Sequence, residues 1–297
     1  MSTSIKSVIW MLIASVNFAL LNTLVKYLSP DYHLSQIIFF RSIFAVLFVL
    51  PWIVKSGLKT LKIYSIKLQL IRCTLAVIAM YLWFYSISKI ALAEATAINF
   101  TAPIFGAIFA VYLLKERIKS RRIIAIFISL IGALIIIRPG IINVNSYVII
   151  TLIASILMGL ASVYIKKITL VDHPNAVVFY MPLVLSFVSL VPCIIFWKTP
   201  ALLSLILLIS TGLTAFLAHV CVTRAFSSSD ATFVLIFDYL RLPVTAILAF
   251  FLFGEITSIW VWVGGLIIFL SSLYVAYRER KKCNSKKTSL ISVKEFN

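Results

Sequence analysis

Apolar residues run along this chain in blocks of membrane-spanning length, separated by short polar joins. Read as helices, the blocks fall at about 8–28, 35–54, 68–88, 92–114, 121–138, 147–166, 175–197, 202–223, 231–253 and 258–277. A bilayer core of roughly 30 Å takes ~20 apolar residues per helix, so ten crossings fill the chain and leave no room for a separate soluble domain. Two blocks carry polar punctuation. The fourth has Glu94 near its start and Asn99 and Pro103 inside it, and the ninth follows Asp230 and contains Asp238, Arg241 and Pro243.

Composition turns blocks into a class. Of 297 residues, 62% are hydrophobic and 12% charged, with mean hydropathy +1.10, more apolar surface than a water-soluble core can hide. The expectation is an all-α polytopic membrane protein in a lipid bilayer. Lys6 ahead of an apolar run imitates a secretion signal, but the run from Val8 to Leu28 is long, contains Asn17 and Asn22 and lacks an Ala-x-Ala cleavage pattern, so it reads as the first crossing. The four cysteines show no metal-ligand spacing and read as unpaired, and neither a metal nor a cofactor is expected.

A net charge of +18 raises the idea of a nucleic-acid partner, and the positions of the charges remove it. Lysines and arginines crowd the joins at 55–72 and 115–122 and the tail from Arg278, whereas the opposite side carries only Lys26, Lys89, Arg138 and Lys198. That bias predicts both termini on the cytoplasmic face of the membrane.

The sequence also repeats. Leu12-Ile13-Ala14-Ser15 returns as Leu152-Ile153-Ala154-Ser155 and Lys26 as Lys166, both 140 residues on. Glu94-Ala95-Thr96 returns as Asp230-Ala231-Thr232, Pro103 as Pro243 and Glu116 as Glu255. Five crossings per unit is an odd number, so the second unit enters the membrane upside down, the construction of alternating-access carriers. The expected units are 1–145 and 146–278, with a basic cytoplasmic tail at 279–297.

These motifs resemble the EamA family of the drug/metabolite transporter superfamily. The family pattern is a proline, eight or nine apolar residues, Gly-Glu-Arg, then glycine in the fifth helix. Here it reads Pro103, Lys115-Glu116-Arg117 and Gly132, then Pro243, Gly254-Glu255 and Gly264-Gly265; Lys115 stands where glycine is usual and Ile256 where arginine is usual. Within the family, Asn17, Phe39-Phe40-Arg41 and Phe237-Asp238-Tyr239-Leu240-Arg241 resemble the branch that takes up S-adenosylmethionine in obligate intracellular bacteria. That resemblance implies uptake of a small zwitterion in exchange for S-adenosylhomocysteine. The alternative is a proton-coupled exporter of amino acids, metabolites or drugs. An enzyme would need a nucleophile or metal set, yet His33, His173 and His219 are scattered and neither HExxH nor GxSxG occurs. A channel is the remaining class, and a homodimer stays open.

An ionised side chain inside a bilayer costs about 3 kcal/mol on insertion scales, so it faces a cavity and finds a partner. Asp238 and Arg241, three apart on one helical face, can pair, either neutralising each other or lining a site. Arg41 can snorkel to the outer surface or offer its planar fork to a carboxylate. The candidate substrate site comprises Asn17, Arg41, Tyr81, Trp83, Tyr85, Glu94, Asn99, Phe237, Asp238, Tyr239 and Arg241: acids for a sulfonium or amine, arginine for a carboxylate, rings for a base. His219 reads as structural or proton-coupling, and Pro103, Pro182, Pro192 and Pro243 as bending points.

Overall fold

The structure, a computed structural model, describes residues 3–99, 101–115, 120–137 and 146–255 and isolated positions between 259 and 274. The tenth expected crossing and the basic tail lie largely outside the described residues. All regular structure among the described residues is helical. Among the described residues six helices are long and apolar enough to cross a membrane: α1 (Thr3–Leu28), α2 (Leu34–Ser56), α3 (Ile66–Lys89), α7 (Ser146–Ile168), α8 (Pro174–Ile195) and α9 (Leu202–Ser228). Shorter helices are α4 (Leu92–Asn99), α5 (Ala102–Leu114), α6 (Ser120–Ile137), α10 (Ala231–Val234) and α11 (Arg241–Phe253).

The fourth and ninth crossings, expected as single helices, are each broken. α4 stops at Asn99, where the Thr101 N–H and hydroxyl both donate to the Ile98 carbonyl, and α5 restarts at Ala102 with Pro103 in its first turn. First-turn amides have no intrahelical acceptor, so a proline there sacrifices no bond. The ninth crossing runs from α10 through a tighter 3-10 segment, Leu235–Leu240, and restarts as α11 at Arg241, with Pro243 again in the first turn.

α1 packs against α9 and α11, while α7 packs against α3 and α5; α2 lies against α8 and α9. The ends of the bundle are fixed by polar contacts. At one end Ser7 bonds Ser229, and Lys166 donates to the Phe226 and Ser229 carbonyls, both at 2.9 Å. At the other end Lys26 donates to the Ile90 carbonyl at 3.3 Å and pairs with Glu255 at 2.6 Å. Thus α1 runs from the first end to the second and α7 runs back. His33 and His173 cap α2 and α8 in the same way, each ring Nδ1 accepting the N–H two residues on, Ser35 and Asn175. These two histidines are one motif placed twice, 140 residues apart.

Apolar side chains fill two clusters. Met11, Ile165, Val222 and Phe226 belong to one; Leu21, Met80, Trp83, Phe84 and Met181 belong to the other. The outward faces remain apolar, with Tyr112, Phe251 and Leu202 each more than three-quarters exposed, as lipid contact requires. Cys73, Cys193 and Cys221 are buried and unpaired.

Candidate functional site

Between the two clusters lies a cavity of about 140 Å³ whose wall comes from α1, α2, α3, α5, α7, α8, α9 and α11, the end of α4 and the 3-10 segment. Five pairs of lining residues stand 140 apart in the chain: Phe18 and Met158, Leu21 and Ala161, Asn22 and Ser162, Arg41 and Met181, Ala79 and His219. The wall therefore takes the same positions from both halves of the sequence, and the Arg41/Met181 pair is where they differ in charge.

The breaks deliver polar groups to this wall. Asn99, the last residue of α4, is 1% exposed and accepts a hydrogen bond from the Ser155 hydroxyl at 3.1 Å. Asp238, in the 3-10 segment, accepts from Arg241, the first residue of α11, at 2.6 Å. The ring of Phe18 lies 5.5 Å from the Arg241 guanidinium and meets the His219 ring edge-on.

Arg41 is 1% exposed, so it does not snorkel. Its guanidinium donates to the Met80 thioether at 2.8 Å and to His219 Nε2 at 3.1 Å, and lies over the Phe84 ring. A guanidinium only donates, so Nε2 must accept and the His219 proton sits on Nδ1, which has no partner among the described residues. While that bond holds, His219 is neutral, and it fixes the Arg41 fork.

Arg72 is the residue that sequence reasoning missed. It falls inside the expected crossing 68–88 but close to its start, and reads there as one of the basic residues of the adjoining join. In the structure it is 1% exposed, lines the cavity and donates to the Val177 carbonyl at 2.9 Å. The available signal was its depth: two turns into α3 is too far for a short reach to water. His219, Asn22 and Phe18 line the same wall; Asn22 Oδ1 accepts from the Trp83 indole at 3.0 Å, leaving its buried Nδ2 without a partner among the described residues.

Of the residues expected from the sequence, Arg41, Trp83, Asn99, Asp238 and Arg241 line the cavity together. Asn17, Tyr81, Tyr85, Glu94 and Phe237 are not part of its wall. Asn17 donates to the Ile13 carbonyl of its own helix, Tyr85 faces Tyr147 and is 41% exposed, and Phe237 packs into an apolar cluster against Phe233. Tyr81 is half-buried against the other cluster, Glu94 is half-buried near the start of α4, and the Tyr239 side chain lies outside the described residues.

Residues 5–138 and 145–277 each match the EamA-like transporter family. The chain belongs to that family. This EamA protein is 30% identical over 277 residues to the S-adenosylmethionine uptake transporter of Rickettsia bellii, covering 93% of this chain and 95% of the relative. It is 27% identical to the riboflavin transporter of Vibrio cholerae, covering 94% and 95% of the two chains. A solved crystal structure superimposes with TM-score 0.74 at 12% identity, over 95% of this chain and 97% of its own, a likeness of fold alone. The EamA protein is thus a multi-pass membrane transporter for a small molecule, and the cavity is its candidate substrate site.

Proposed function

We propose that this chain is an alternating-access carrier of the bacterial inner membrane that imports S-adenosylmethionine in exchange for S-adenosylhomocysteine. The observation that carries the substrate is the match to the Rickettsia bellii transporter along nearly the whole of both chains. The site chemistry agrees with it. The Arg41 fork suits a carboxylate, Asp238 a cationic centre, and the faces of Phe18, Phe84 and Trp83 an adenine.

The carrier is built as ten crossings in two inverted five-helix repeats, 1–145 and 146–278, with the basic tail 279–297 and both termini in the cytoplasm. The opposite courses of α1 and α7 and the five lining pairs set 140 apart support this plan. Broken helices that present polar residues at a shared cavity are a common arrangement of repeat-built carriers. Lys26 and Lys166, equivalent residues at opposite ends, act as latches over the path, each binding a carbonyl of the helix that ends beside it. The cavity, about 140 Å³, is smaller than the ~300–1,000 Å³ of ordinary small-molecule sites, so substrate entry requires it to widen, which release of a latch would allow.

Radiolabelled S-adenosylmethionine supplied to cells expressing the chain tests the substrate directly. Saturable uptake above an empty-vector control, stimulated by S-adenosylhomocysteine preloaded on the far side, is the expected outcome. Uptake indistinguishable from the vector ends the substrate assignment. The likeness to a riboflavin transporter supports a second reading, a flavin-type substrate stacked on the same rings, and riboflavin uptake under the same conditions separates the two.

A further inference from the structure

The charges on the cavity wall do not balance. Three guanidinium groups face it, those of Arg41, Arg72 and Arg241, against one carboxylate, Asp238, which is already bonded to Arg241. The chain holds only nine acidic residues in all. Asp31, Asp172, Asp230 and Glu255 lie at the ends of the bundle, Glu94 near the start of α4, and Glu116, Glu279 and Glu295 outside the described residues. None of the five described ones lines the cavity.

Arg41 and Arg72 are also short of acceptors. A guanidinium has five N–H donors in a planar fork. Among the described residues Arg41 uses a thioether, a weak acceptor, and one imidazole nitrogen, and Arg72 uses one carbonyl and the neighbouring Cys73 sulfur, another weak acceptor. The Nε of each, like that of Arg241, is buried with no partner among the described residues. A structural arginine at this depth would hold a carboxylate or several carbonyls, as Arg241 holds Asp238. These two keep donors and charge directed at the cavity instead.

We propose that Arg41 and Arg72 form the anion-binding pole of the substrate site, so that the carrier accepts only ligands that bring a carboxylate or phosphate to it. The assignment rests on reading the cavity as the transport site; it suits S-adenosylmethionine, which brings a carboxylate, and disfavours unphosphorylated riboflavin, which brings no anion. Arg72 is then a specificity-determining residue that acts with Arg41. Asn22, with its free Nδ2, stands on the same wall as a neutral donor. A ligand lacking the anion leaves two desolvated charges without a counter-ion and is rejected, just as a site built for a hydrogen bond rejects the analogue that lacks it.

The test is ligand-dependent thermal stabilisation and apparent affinity of the full-length protein in lipid nanodiscs, using matched probes. One pair is S-adenosylmethionine and its decarboxylated form; the other is riboflavin 5′-phosphate and riboflavin; inorganic phosphate is a fifth probe. In the unaltered protein the anionic member of at least one pair binds about ten-fold or more tightly than its twin, the size of one or two charge-assisted hydrogen bonds. Arg72→Gln and Arg41→Gln bring that ratio towards one. Arg41→Lys and Arg72→Lys, which keep the charge but lose the fork, retain part of it and guard against loss of folding as the cause. Failure of S-adenosylmethionine to bind, with discrimination kept in the flavin pair or protection by phosphate, overturns the substrate proposed above and supports the anion pole. Equal binding within both pairs with no protection by phosphate, or discrimination that survives all four substitutions, overturns the anion pole itself.

Discussion

The two broken helices stand at matching places in the two family segments, yet α4 and α5 meet beside Asn99, a neutral amide held by Ser155, whereas α10 and α11 meet at the Asp238–Arg241 ion pair. The backbone solution is the same in both. A proline sits in the first turn of the second piece, and each second piece ends in a left-handed residue, Lys115 at φ 53° and Gly254 at φ 61°. What differs is the charge delivered to the cavity, and α2 and α8 differ likewise, with Arg41 set against Met181. The two segments share a backbone device and differ in the charge they bring to the cavity wall.

Breaking the ion pair should have the largest effect. Asp238→Asn leaves Arg241 buried without its counter-charge and should cost about 3–5 kcal/mol in unfolding free energy, with uptake falling to background. Reversing the pair, Asp238→Arg with Arg241→Asp, should recover most of the stability but not the uptake. Recovery of both would make the pair a structural tie and no more. Unfolding in mild detergent beside radiolabelled uptake reads the two effects separately.

The tight helix crossings come next. A Cβ on Gly159 would lie 2.6 Å from the Ala102 carbonyl and 2.8 Å from the Gly106 nitrogen, and one on Gly212 would collide with the Phe44 Cβ. Gly159→Ala and Gly212→Ala should each destabilise by about 1–3 kcal/mol, since backbone and a β-carbon cannot step aside. Differential scanning of the purified variants checks both. A fall in only one would show that one crossing has slack that the other lacks.

The latches offer a directional contrast. Lys26→Met and Lys166→Met should shift the conformational balance towards opposite open states, each about ten-fold, the worth of one charge-assisted hydrogen bond. Labelling of a reporter cysteine from each side of the membrane is the readout, and equal changes on both sides would dissociate the lysines from gating. Smallest is the pair of helix ends. Lys115→Gly should stabilise and Gly254→Ala destabilise, each by about 1 kcal/mol, because only glycine takes the left-handed region without strain.

Much of this was legible in the sequence, for reasons that mark where legibility stops. Block length gave the long helices, and the i, i+3 spacing gave the Asp238–Arg241 bond, since both follow from local geometry. The breaks were hidden because apolar content continues across them: hydropathy senses side chains, and a change of backbone at Thr101 or Leu240 leaves it unaltered. Arg72 was hidden by position, as a charge near the start of a span looks wet until its neighbours are known. Tyr81, Tyr85 and Phe237 shared segments with lining residues but point elsewhere, which follows from each helix presenting several faces to different neighbours. The matching caps at His33 and His173 stand at the repeat offset, but an imidazole before a helix is not the usual cap signature, which is Ser, Thr, Asp or Asn.

The proposed carrier reaches the cavity in turn from both sides of the membrane. This is tested most directly by placing a single cysteine on the cavity wall, Ser162→Cys, in a protein whose native cysteines are replaced. Impermeant thiol reagents are then applied to right-side-out and inside-out vesicles. The account predicts labelling from both sides, slowed from both sides by S-adenosylmethionine. Labelling from one side only, or labelling that the substrate leaves unchanged, would contradict it.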